Sequence, residues 1–212
     1  MGIQADGERR PVLVDAALQR RLTPLYADAE RHYHGLAHIE ALRRLAARLR
    51  AELNDPAAVD AAIWFHDAVY DSRRADNEEK SAALAAAWLA GRAAPVRLAR
   101  IVAMIKATAG HELPALDSAA ARADAALFLD MDLAILGASP AAFDAYEAAV
   151  RREYHWVAEP AWQAGRRGVL AGFLARPRIF HSPRFRASRE ARARANLARS
   201  LALLAEPPPA AG

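Results

Sequence analysis

The chain is 212 residues long, enough for one well-buried domain and short for two. It contains no cysteine, which excludes disulfides, thiolate metal sites and cysteine nucleophiles and leaves His, Asp and Glu to hold any metal. The net charge of +4 rests on 29 basic residues, of which only Lys80 and Lys106 are lysine, and no aromatic interleaving or recognition motif turns that charge into a specific nucleic-acid signal.

Hydrophobic residues make up 54% of the chain, and much of that share is alanine, which favours closely packed helices. The expectation is an all-α, single-domain fold of about 8–9 helices over residues 1–205, with core motifs in 26–137 and C-terminal helices in 140–205. The final EPPPAAG, residues 206–212, is too proline-rich to pack and reads as a frayed tail. The start, MGIQADGERRPVLVD, has no apolar run of signal-peptide length, and no later stretch approaches the roughly 18 apolar residues of a membrane span, so a cytoplasmic address without membrane insertion is the default.

Along the chain, Pro24 and Gly35 bound a first break, within which lie His32, Tyr33 and His34. His34 and His38 are four apart, close enough to share one helical face if a helix starts near Gly35. Leu42, Leu45 and Leu49 continue that helix as a buried stripe. Next comes AAIWFHDAVYD, apolar nearly all round, so that His66 and Asp67 are expected to face the interior. A buried imidazole beside a carboxylate costs several kcal/mol, roughly, unless a partner such as a metal compensates.

Asp76 and Glu79 have capping-box spacing, which predicts a helix from Asn77 to Leu89. Pro95 opens a helix carrying Leu98, Ile101, Val102 and Ile105 on one stripe, followed by Lys106 and the TAGH loop with His111. In FLDMDLAILG, residues 128–137, Asp130 and Asp132 interrupt an apolar segment; two apart on a helix they diverge by about 200°, so one can face a site while the other caps or pairs. Pro140 fits a further first turn, and residues 160–199 hold ten arginines against the single acid Glu190, a basic excess that suits anionic ligands as well as solvent.

The ordered set HYHGLAHIEAL, IWFHDAVYD, DNEEKSA, IKATAGH and FLDMDLAILG, with REY (152–154), GRRGVLAGFLARPRIF (165–180) and ARANL (193–197), resembles the HD superfamily of metal-dependent phosphohydrolases, in particular a small bacterial subgroup, over roughly residues 25 to 203. The resemblance implies a helical fold with a His, His-Asp, Asp metal site. Position by position, the ligands match His38, His66, Asp67 and Asp132, the last a better match than Asp130. Such a ligand set suits one divalent ion, Mn²⁺, Fe²⁺, Co²⁺, Ni²⁺, Zn²⁺ or Mg²⁺, and leaves a second ion open. Asp67, His34, Glu78 and His111 are then the candidate catalytic groups, Asp71 and Glu79 their acidic neighbours, and Arg31 and Lys106 the candidate contacts to a small phosphorylated substrate such as a nucleotide. A non-catalytic metal- or nucleotide-binding regulatory module and a di-iron oxygenase are the alternatives on the same scaffold, and homo-oligomerisation is left open.

Overall fold

In the computed structural model, residues 12–205 are described, and the expected tail at 206–212 and most of the N-terminal stretch lie outside them. The described residues are all-α. Helices α1 (Ala16–Leu22), α2 (Leu36–Arg48), α3 (Pro56–Phe65), α4 (Asn77–Leu89), α5 (Pro95–Ala107), α6 (Ala119–Asp132), α7 (Pro140–Glu153) and α8 (Glu159–Ala175) are followed by α9, a continuous helical stretch over 183–205. Its segments are Pro183–Phe185, a π-helical turn Arg186–Glu190, and Ala191–Ala205. No single helix among the described residues is long and apolar enough to cross a membrane.

Helix α3 is the hub. Pro56 sits at its first turn, Asp55 caps it by accepting from the Ala58 amide, and Ala58, Val59, Ala61, Ala62, Ile63, Trp64 and Phe65 are all buried. It packs on α1, α2, α4, α5 and α6. The small residues Ala58, Ala61 and Ala62 let those neighbours come close, while Phe65 and Phe128, fully buried, fill the space between them. Each such aromatic contributes roughly 1.5–3 kcal/mol by leaving water.

Helix α4 has the bounds the sequence predicts, but not the predicted cap. Asp76 makes no side-chain bond to the helix start; both its oxygens are taken by Arg74, and Glu79 pairs with Lys106 instead. A local guanidinium offers a charged partner, which outcompetes a single backbone amide.

Helix α6 carries three carboxylates inward. Asp124 accepts from the amides of Asn54 and Asp55 and so fastens α6 to the entry of α3. Asp130 is fully buried and accepts the amides of His181 and Ser182, fastening α6 to the entry of α9. Asp132, the last residue of α6, is left to face the cluster described below. Beyond it the 3₁₀ turn Leu133–Gly137 passes so close to α9 that a β-carbon on Gly137 would lie 2.6 Å from the Arg189 β-carbon. Asn196 secures this turn by donating to the carbonyls of Leu136 and Ala138.

The C-terminal arginines spend their charge on carbonyls. Arg176, Arg186, Arg189 and Arg194 all donate to backbone oxygens at helix ends and loops. That accounts for much of the basic excess without an anionic ligand, since such carbonyls lack intrahelical donors.

Candidate metal centre

His38 lies in the first turn of α2, which starts at Leu36 with Gly35 as its N-cap. His66 is the residue that ends α3, and Asp67 follows in the turn, so the pair sits at a helix terminus rather than within a helix. Asp132 comes from the end of α6. Three helix ends therefore deliver four polar groups to one point.

The distances are short. His66 Nε2 is 3.2 Å from His38 Nε2 and 3.0 Å from Asp67 Oδ2. His38 Nε2 is 3.1 Å from Asp132 Oδ1 and 3.7 Å from Asp67 Oδ2, and His66 Nε2 is 3.6 Å from Asp132 Oδ1. Donor atoms about 2.1 Å from a common ion stand about 3.0 Å apart at right angles and about 3.4 Å apart in a tetrahedron. His38, His66 and Asp67 form the mutually tight trio, with one ligand atom from each within 4.8 Å of the others, and Asp132 adjoins both imidazoles.

The hydrogen bonding prepares these atoms for a cation. His66 Nδ1 is 2.9 Å from the Ile63 carbonyl, an oxygen that can only accept, so Nδ1 carries the proton and Nε2 of the neutral ring turns its lone pair into the cluster. Around it lie a second imidazole nitrogen and two carboxylates, an assembly of acceptors that needs a proton or a metal between them. Burial opposes a charged His66, but Asp67 and Asp132 outweigh it and hold the imidazole well above its ordinary range. The reciprocal charge of His66 outweighs burial at Asp67 and Asp132 and holds both carboxyls down. The chemistry of the donor set thus fits one divalent ion.

Two further histidines flank the cluster. His111 Nε2 is 2.9 Å from Asp132 Oδ2, the oxygen not facing His38. Its backbone has φ 51, the one positive φ outside glycine among the described residues, a conformation that costs about 1–3 kcal/mol. The loop is held there by Arg176, which donates to the Gly110 carbonyl, and by His181, whose Nε2 donates to the His111 carbonyl.

His34 lies in the turn before α2, on Glu153 from the end of α7. Glu153 accepts the amides of Tyr33 and His34 on one oxygen, and His34 Nδ1 at 2.6 Å and the Tyr70 hydroxyl at 2.8 Å on the other. Burial raises the Glu153 carboxyl, but the bond and charge of His34 outweigh it and bring it from 4.5 to about 2. At His34 burial lowers the imidazole and Glu153 more than restores it, leaving it raised.

A signed pH effect follows. The Glu153 contribution is complete above its unfolded value of 4.5 and is lost as pH falls towards 2, while that of His34 is complete below 6.5 and is lost as pH rises through its raised value. Urea unfolding should show the wild type losing about 2 kcal/mol more than Glu153→Gln between about pH 5.5 and about pH 3. Parallel profiles for the two proteins would remove Glu153 from this role.

Asp67, Asp132, His34, His111 and Glu78 line a cavity of 560 Å³, whose other walls come from Tyr33, the 3₁₀ turn after α6, and α7 and α8. Other expected groups are not brought to it. Lys106 is tied to Glu79 at 2.6 Å on the outer surface. Arg31 donates to the carbonyls of His34 and Asp67, bracing the two loops rather than lining the cavity. Asp71 is exposed and holds a local turn through the Arg73 amide.

Glu153 and His181 were not among the candidate residues. Glu153 has a sequence signal: it is a carboxylate at a helix C-terminus, where the macrodipole disfavours negative charge unless something compensates. His181 has none. Comparisons with family models, curated proteins and solved structures return no match to this chain.

Proposed function

We propose that the chain is a metal-dependent phosphohydrolase of the HD type, which cleaves a small phosphoester by attack of water at phosphorus. The convergence of two imidazole nitrogens and two carboxylates at 3.0–3.7 Å, beside an open cavity, supports this reading. His38, His66, Asp67 and Asp132 would hold the ion. When bound, a divalent ion supplies Lewis acidity to the phosphoryl oxygens and acidifies water.

The chain's own groups account for the remaining requirements. Asp67 stands at both the donor cluster and the cavity, placed to orient the attacking water, whose proton would leave to solvent through the open cavity. His34 lines the cavity with Nδ1 engaged by Glu153, which favours the protonated ring and leaves Nε2 to deliver a proton to the departing oxygen. As the water oxygen bonds to phosphorus, the ester P–O bond breaks, and the leaving oxygen takes that proton to become an alcohol. His111 holds Asp132 from the far side, and Glu78 adds a carboxylate at the cavity wall.

Metal-reconstituted protein should release inorganic phosphate from a panel of small phosphoesters, and a chelator should stop the release. One bound ion with silence across the panel would point to the non-catalytic module instead. The second reading, a di-iron oxygenase, is favoured by one observation, that Asp132 divides its oxygens between His38 and His111 as a bridging carboxylate does. Two irons per chain would establish it over the hydrolase.

A further inference from the structure

The cavity walls differ in character from its floor. On α8, Ala161, Gly165, Val169 and Phe173 follow one another at four-residue spacing and form a single stripe facing the cavity. Val169 is 48% exposed, a large apolar side chain left without cover. Beside the stripe, Trp162 and Tyr154 form an aromatic wall with ring centroids 5.6 Å apart. The space beside Gly165 is open, since a β-carbon there would meet nothing within 4 Å.

Charge is arranged to match. Among the described lining residues Arg166 is the only lysine or arginine, and it is already paired with Glu147 and bonded to the Tyr146 hydroxyl. The cations nearby are engaged elsewhere: Arg31 and Arg176 on carbonyls, Lys106 on Glu79, Arg151 on Glu159 and two carbonyls. Three carboxylates, Asp67, Glu78 and Asp132, face the same space. A divalent ion offsets the charge of one phosphoryl group, and beyond the imidazoles of His34 and His111 the lining offers no unpaired lysine or arginine to offset a second or third. The lining also lacks asparagine and glutamine, the side chains best suited to a nucleobase edge.

From this juxtaposition of an uncharged aromatic-aliphatic wall and a single cation-binding floor we infer that the substrate is a phosphomonoester of an apolar, ring-bearing alcohol, and not a nucleotide. This inference rests on the hydrolase reading for the reaction, but its binding half stands apart from it. The ring lies along the α8 stripe against Trp162, and the lone phosphoryl group reaches the floor.

The probes are 2-(1-naphthyl)ethyl phosphate, glycerol 3-phosphate, AMP and ATP, the first two sharing a leaving alcohol of similar acidity. The manganese-loaded wild type should favour the naphthyl ester over each of the others by about tenfold or more in kcat/KM. Calorimetry on the metal-free chain should show binding of 2-(1-naphthyl)ethanol, and Gly165→Leu, which fills open space on a helix, should abolish it. Preference for AMP or ATP would overturn the inference while leaving the hydrolase reading intact. Binding of the alcohol without turnover of any ester would overturn the hydrolase reading and keep the cavity's assignment. Failure of the alcohol to bind, or equal binding by Gly165→Leu, would overturn the assignment itself.

Discussion

His66→Ala and Asp67→Ala are each expected to lose bound metal and phosphoester hydrolysis together, with the helical circular dichroism signal retained. His66 is oriented by the Ile63 carbonyl and lies within 3.0–3.6 Å of three other donors. Removing an outer partner of a metal ligand alone costs about 10–100-fold in affinity, so loss of a ligand should exceed about 100-fold. Both residues lie at the end of α3, and the helix bond that His66 makes, from its amide to the Ala62 carbonyl, is a backbone bond that truncating the side chain leaves in place. Metal analysis of purified wild type and variants provides the check. Equal metal content in all three would refute the ligand assignment.

Asp130→Ala and Asp132→Ala should fail in opposite ways. Asp130 satisfies two backbone amides, those of His181 and Ser182, each at 2.7 Å, and is 0% exposed. Its removal leaves two buried donors unpaired, at about 1–3 kcal/mol each, while the metal should be kept. Asp132 holds side chains alone, through His38 and His111, so its loss should release metal with a smaller change in unfolding midpoint. Unfolding curves read beside metal content separate the two. Metal lost from Asp130→Ala and kept by Asp132→Ala would exchange the assignments.

The helices were legible because proline and glycine breaks fall where the chain turns: Pro56, Pro95 and Pro140 each open a helix. Of the tight trio, His66 and Asp67 stood out because they interrupt an apolar run, and His38 because it opens a helix within a motif that resembles the HD superfamily. How α6 uses Asp130 and Asp132 was open in the sequence, because the amides that Asp130 meets lie about fifty residues on and no local spacing announces them. Lys106 was misleading for a related reason. Its rarity in an arginine-rich chain is a compositional fact, whereas its partner Glu79 is set by the packing of α4 against α5.

The clasps on the two flanking histidines bear on how the protein comes into being during synthesis. By residue 137 a nascent chain already contains His38, His66, Asp67, His111 and Asp132, yet it lacks Glu153, which holds His34, and Arg176 and His181, which hold the His111 loop. The donor cluster is thus encoded upstream of the groups that orient the histidines beside it. The C-terminal third is the part that fixes His34 and the His111 loop against a cluster assembled from the first two thirds.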